Sequence, residues 1–215
     1  MGSFWGRVRL GTWSENEKQE AGKYNKKPGD LKYADLNNDG QINSIIGCAS
    51  PEFIATMSNV FLYKNFDLSF DLRWVYGGGV YNTTKMTTED RSTIANNQIS
   101  VLDAWRPDHQ NTMIAERRPT SIAYDNKPDS YKVEDGSFLR LQSLVFGYSL
   151  PVSFLDKLDI NKLRLYFNAQ NLFCFTKYSG YDPEVKGYSP VFAQNMDFYS
   201  YPKSRTFSIG INLIF

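Results

Sequence analysis

The stretch Phe66-Asp67-Leu68-Ser69-Phe70-Asp71-Leu72-Arg73-Trp74-Val75-Tyr76 decides the fold. Its residues alternate. One face carries Phe66, Leu68, Phe70, Leu72, Trp74 and Tyr76, the other Asp67, Ser69, Asp71, Arg73 and Val75. A period of two marks a β-strand with unlike faces. Such a stretch rises about 36 Å along its length. At a tilt of about 45° it crosses an apolar band of about 25 Å.

The same alternation recurs outward from this strand. Phe207, Ile209, Ile211, Leu213 and Phe215 share a face, opposite Thr206, Ser208, Gly210 and Asn212. Leu163, Leu165, Phe167, Ala169, Phe173 and Phe175 alternate with Arg164, Tyr166, Asn168 and Gln170. Phe53, Ala55, Met57, Phe61 and Tyr63 form a fourth apolar row, broken by Asn59. A fifth runs from Phe138 to Leu150 and changes phase near Gln142-Ser143, which predicts a bulge. The spacing thus predicts strands at 53–63, 66–76, 138–150, 162–175 and 205–215. Lys64-Asn65 makes a tight hairpin of the first pair. Residues 151–161 join the third and fourth strands, whereas 77–137 and 176–204 are long connections.

Two architectures fit. In a soluble β-sandwich the apolar face is the core and the polar face meets water. In a transmembrane barrel the apolar face meets lipid and the polar face meets the lumen. Length favours the barrel, since sandwich strands average about 5–6 residues. Alternating short turns and long loops favour it too. So do Phe66, Trp74, Tyr76, Tyr63, Phe173, Phe175 and Phe215 at strand ends, where aromatic girdles lie.

Composition excludes some classes. The 215 residues carry 24 Lys+Arg against 23 Asp+Glu, so no charge excess points to nucleic acid. No apolar run approaches the ~18 residues of a membrane helix. The aromatic content is 15%, with 14 Tyr and 15 Phe. Met1 is followed by no apolar signal segment, which fits a cytosolic chain or one that begins inside a longer protein. Cys48 and Cys174 lack metal or redox spacing. They read as unpaired small apolar residues, with a disulfide as the alternative. His109 sits in a polar loop with no second His or Cys nearby, and Gly77-Gly78-Gly79 precedes no Gly-Lys-Ser. No catalytic constellation is present in the sequence, so the chain reads as a non-enzyme.

Asp35, Asn37, Asp39, Gln41 and Asn43 place oxygen ligands as the opening of an EF-hand-type calcium loop does, with Gly40 at its turn. Position 12 should be a bidentate carboxylate and is Ile46. The readings are a weak calcium site or an Asx-rich surface turn. No other cofactor is implied. Loop aromatics Tyr81, Trp105, Tyr124, Tyr178, Tyr188, Phe192 and Tyr199 are candidates to stack on sugar rings or to pack within their loops. Trp105, Tyr124, Tyr178 and Tyr188 are taken as the candidate ligand contacts. Asp67, Asp71, Arg73 and Arg164 would line the lumen or pair with one another.

Several stretches resemble the SusC/RagA family of TonB-linked outer-membrane receptors. They are residues 27–46 (Lys-Pro-Gly-Asp-Leu-Lys-Tyr-Ala-Asp-Leu-Asn-Asn-Asp-Gly-Gln-Ile-Asn-Ser-Ile-Ile), Tyr63 to Ser69, and Val133-Glu134-Asp135-Gly136-Ser137-Phe138-Leu139-Arg140-Leu141. Gln170-Asn171-Leu172-Phe173, Gly180-Tyr181-Asp182-Pro183-Glu184 and Tyr201-Pro202-Lys203-Ser204-Arg205-Thr206-Phe207 follow in the family's order. The chain ends on Phe215, similar to the terminal aromatic read by the barrel-assembly machinery. After Asp39-Gly40-Gln41-Ile42-Asn43 the family carries further acidic residues that are missing here.

The resemblance implies an all-β fold: the last five antiparallel strands of a large transmembrane β-barrel (22-stranded in the family) with long extracellular loops. Residues 1–52 would be an extracellular region and 53–215 the C-terminal strands and loops. The whole protein would import oligosaccharides or peptides across the outer membrane. Its partners would be a SusD-like surface lipoprotein, the TonB complex through parts missing here, and outer-membrane lipid. The segment would not transport alone. The rival expectation is a soluble β-sandwich that binds glycans.

Overall fold

The computed structural model describes residues 2–36, 42–89, 96–118, 127–155, 160–185 and 194–215. Strands in chain order are β1 (Ser3–Arg7), β2 (Arg9–Thr12), β3 (Leu31–Tyr33), β4 (Asn43–Cys48), β5 (Phe53–Tyr63) and β6 (Phe66–Tyr76). They continue with β7 (Gly79–Asn82), β8 (Val133–Asp135), β9 (Phe138–Ser149), β10 (Lys162–Thr176), β11 (Met196–Asp197) and β12 (Thr206–Ile214). The chain divides into two compact units. One holds Met1–Ser50, Gly78–Asp135 and Glu184–Ser200, the other Pro51–Gly77, Gly136–Pro183 and Tyr201–Phe215.

The second unit is one antiparallel sheet in the order β12-β10-β9-β6-β5. Its five strands fall where the alternation places them. The hairpin turns at Lys64, which takes a left-handed φ of 53°. The phase change in β9 is a bulge. Asp71 pairs with Ser143 and Leu72 with Leu141, so Gln142 has no partner in β6. On the other side of β9 the register shifts between Gln170 and Phe173 of β10, with Asn171 at φ 52°. The bulge returns both apolar rows to one face, because a one-residue insertion reverses the side-chain alternation.

The first unit combines residues 1–50 with most of the two long connections. Segments 78–135 and 184–200 join residues 1–50 in it. They do so because they carry strands of their own. β1 pairs with β4 and β2 with β3, while β7 lies between β8 and β11. None of these short strands repeats an alternation long enough to read in advance. Trp13, Leu31, Val80, Tyr81, Trp105 and Ile114 are buried in this unit. Buried charges are paired there. Arg9 binds the Asp129 carboxylate, and the Lys132 ammonium lies 2.7 Å from Glu89. The Tyr131 ring stands over Lys85 and Arg9, at 4.1 and 4.6 Å.

Ser14 caps the short helical turn at Glu15–Glu17. Its backbone N–H and hydroxyl both donate to the Glu17 carboxylate, at 3.1 and 3.0 Å, and Lys32 pairs with the same group. The Lys32 ammonium, and then the Ser14 N–H, hold this carboxyl below its ordinary value of 4.5. A depressed carboxyl stabilises the fold above its unfolded pKa and loses that contribution as pH falls through the folded one. Unfolding of the chain followed from pH 6 to pH 2 (about the carboxylate range) should therefore show a stability loss that Glu17→Gln flattens. An unchanged slope would refute the assignment.

Candidate functional site

The five-stranded sheet has two unlike faces, and its cross-strand register assembles each of them. The apolar rows of β5, β6, β9, β10 and β12 coincide, as in Phe61↔Leu68, Leu68↔Phe146, Phe146↔Phe167 and Phe167↔Ile209. A sandwich would bury this face against a second layer. Here Phe61 is 55% and Ile209 82% exposed. Rings gather near both strand ends of this face. Phe53 lies 4.8 Å from Trp74 and 5.4 Å from Tyr76 near one end. Phe66 lies 4.7 Å from Tyr148 and 5.7 Å from Phe146 near the hairpin end.

The opposite face is polar. Asp67 receives two bonds from Arg164 across the intervening β9, Nε to Oδ1 at 2.9 Å and Nη2 to Oδ2 at 2.5 Å. The bidentate fork fixes both side chains. Gly147 lies between them and pairs with Asp67 on one side and Tyr166 on the other. A Cβ on Gly147 would stand 2.3 Å from Asp67 Oδ1 and 2.5 Å from Arg164 Nη2. Gly210 likewise makes room for the Tyr166 ring. Of the charges first read as lining a path, Asp67 and Arg164 are thus a pair. Gly147→Ala should push the pair apart and cost about 1–3 kcal/mol. Denaturant unfolding in detergent checks this. In the Asp67→Ala background the same change should cost less, because the obstruction is gone.

A second ion pair lies where the three late sequence motifs meet. Arg140 of β9 reaches Asp182 with Nη2 2.5 Å from Oδ1. Both side chains are buried. The other carboxylate oxygen accepts the backbone N–H of Lys203 at 3.3 Å. Ser137 adds to this junction. Its hydroxyl accepts the Gly77 N–H at 2.9 Å, and its carbonyl accepts the Thr176 hydroxyl at 2.8 Å. So the stretches 133–141, 180–184 and 201–207 are distant in sequence and share one polar junction. Sequence reading quoted Arg140 and Asp182 only inside their motifs. An Arg in an apolar strand at a polar-face position was the available signal.

The remaining sequence candidates are dispersed. Trp105 and Tyr178 are 3% and 5% exposed, so neither presents an open ring face. Packing holds both rings. Tyr124 and Tyr188 lie outside the described residues, as do Asn37, Asp39 and Gln41. Asp35 is half-buried, while Asn43 opens β4 opposite Arg7 and Ile46 lies within that strand. Among the described residues no group of three or more His, Cys, Asp or Glu could hold a metal ion. No disulfide joins Cys48 and Cys174. His109 Nε2 lies 2.7 Å from Asp103 in an exposed turn. Phe215 follows β12 and is exposed.

No protein-family model matches the chain. Sequence relatives do match. The chain is 36% identical over 197 residues to TonB-dependent receptor P3 of Formosa agariphila, covering 87% of this chain and 19% of that protein. It is 28% identical over 204 residues to TonB-dependent receptor SusC of Bacteroides thetaiotaomicron, covering 89% and 18%. The chain is a homologue of the SusC-type TonB-dependent receptors. It spans about a fifth of the length of the curated relatives it matches. The fold agrees. A structure described as the RagAB peptide transporter superposes with a TM-score of 0.76 at 24% identity, over 98% of this chain and 22% of the other. The five-stranded sheet with one exposed apolar face thus has the fold of a barrel segment of that structure. The relatives are receptors and transporters, not enzymes, which agrees with the non-catalytic reading of this SusC homologue.

Proposed function

We propose that this SusC homologue forms part of the barrel wall of a TonB-dependent importer in the outer membrane. The observation that carries this reading is the long, uncovered apolar face of β5, β6, β9, β10 and β12, backed by a charged and polar one. Apolar area of that extent on a water-facing sheet would drive association. Against acyl chains it costs nothing, and the end rings fit the headgroup level. The Asp67–Arg164 and Arg140–Asp182 pairs then face the lumen, where charge is tolerated. The imported class is an oligosaccharide or a peptide, taken up with a SusD-like surface lipoprotein. TonB supplies energy through segments other than these strands, so this chain alone does not transport.

Trp74, on the apolar face beside Phe53, reports the environment directly. In vesicles whose lipids carry brominated acyl chains, the chain should lose part of its tryptophan fluorescence. Trp74→Phe should remove the quenched part. A chain that stays monodisperse in buffer without detergent, with no quenching, overturns the reading in favour of a soluble module.

A further inference from the structure

Lys177, Lys203 and Arg205 flank two neighbouring strands, Lys177 just after β10 ends at Thr176 and the other two just before β12 begins at Thr206. All three are exposed. Residues 171–183 and 201–207 hold no other cation and a single carboxylate, Asp182, which is buried against Arg140. This end of the two strands therefore presents positive charge to its surroundings, although the whole chain carries a net charge of only +1. Neither ion pair of the sheet uses these cations.

The backbone that carries them is held. Asn171 Nδ2 donates to the Ser204 carbonyl at 3.1 Å, the Lys203 N–H donates to Asp182 at 3.3 Å, and Thr206 pairs with Gln170. Arg205 is thus fixed between two anchored residues. It continues the odd-numbered row of Phe207, Ile209 and Ile211, and Lys177 continues that of Phe173 and Phe175. Rings come next along both rows. Phe175 and Phe207 are 63% and 59% exposed, and Phe173 lies 5.2 Å from Phe175. Aliphatic rows, then rings, then cations is the order in which a leaflet changes from acyl chain to anionic headgroup. Long connections mark the outer end of a barrel, and these strand ends adjoin the connection 176–204.

We propose that Lys177, Lys203 and Arg205 form a cationic rim that binds the phosphate groups of lipopolysaccharide, the anionic lipid of the outer leaflet. The Arg205 guanidinium forks onto phosphate oxygens, and each lysine adds a point charge. The rings beneath meet the start of the acyl chains. This rests on the reading of the sheet as part of a barrel wall, and it gives that wall a lipid of defined chemistry at its outer edge.

The test titrates the full 215-residue chain, in zwitterionic detergent, into fluorescently labelled lipopolysaccharide, with phosphatase-treated lipopolysaccharide and phosphatidylglycerol as the other probes. Anisotropy reads binding. Intact lipopolysaccharide should bind more tightly than either. Arg205→Gln should weaken that binding about fivefold, and the triple change Lys177→Gln, Lys203→Gln and Arg205→Gln about a hundredfold. Arg205→Lys keeps the charge and should retain most of the binding, so the contrast with Arg205→Gln decides the matter even where the triple variant folds poorly. Lys203→Gln keeps its N–H on Asp182. Lys162→Gln, at the other end of β10, also removes one charge and should bind like the parent. Four results overturn the proposal: no binding of lipopolysaccharide, parent-like binding by Arg205→Gln and the triple variant, equal binding after phosphatase treatment, or equal binding of phosphatidylglycerol. The Trp74 quenching assay involves none of these side chains. Quenching without lipopolysaccharide binding removes the rim and leaves the importer reading, whereas absence of quenching removes both.

Discussion

Arg140→Ala should destabilise the sheet unit by about 3–5 kcal/mol, because it leaves the Asp182 carboxylate buried beside a lost partner. The two side chains are 3% and 8% exposed, so water cannot replace the missing guanidinium without opening the site. Asp182→Ala should cost a similar amount, and it also frees the Lys203 N–H. Their sum should exceed the double change, since each single variant carries the penalty of an orphaned charge. Arg140→Met combined with Asp182→Leu should recover most of the loss, because a well-packed apolar pair avoids desolvating ions. Denaturant unfolding in detergent measures all four proteins. A single variant within about 1 kcal/mol of the parent, the ordinary worth of an exposed pair, would show that the pair is solvated. The junction ties residues 176–183 and 201–205 to β9. Limited proteolysis should therefore cut both segments faster in the single variants than in the parent.

Ile209→Arg and Ser208→Arg should part company, although the two positions are adjacent and both exposed. Ile209 belongs to the apolar row through its pairing with Phe167, and Ser208 to the polar row through Asn168. In lipid, an arginine at the middle of the apolar face costs about 2–4 kcal/mol. On the polar face it meets water and should change stability by less than about 0.5 kcal/mol. Solvent exposure alone predicts no difference between them. Unfolding from lipid vesicles, with the same pair measured in detergent, separates the explanations. Equal effects in lipid would mean that the Ile209 face does not meet acyl chains.

The sheet was legible because each of its strands repeats one simple rule over a long run. Phe66–Tyr76 and Thr206–Ile214 alternate almost without fault. Even the bulge at Gln142 left a mark, because an extra residue inverts the phase of everything after it. The first unit left no such trace. Its strands run to six residues at most, as in Asn43–Cys48, and pairing segments such as Gly79–Asn82 and Met196–Asp197 are far apart in the chain. Their existence depends on closure of long loops rather than on local pattern.

Ion pairs followed the same division. Asp67 and Arg164 could be placed on the polar face from spacing, but not joined, since 97 residues separate them. The glycine that admits them, Gly147, looked like any glycine in a strand. Aromatic contacts were harder still. Trp105 and Tyr199 are both loop aromatics in polar surroundings, and only packing makes one buried and the other exposed.

Sequence alone determined the strands, their two faces, the hairpin at Lys64-Asn65 and the likeness to SusC-type receptors. Those features are local, because a period of two is written residue by residue along one strand. Tertiary structure decided that the apolar face stays uncovered, that Arg140 meets Asp182, and that residues 1–50, 78–135 and 184–200 form a unit of their own. Each of these depends on which distant residues come together, and strand periodicity carries no information about that.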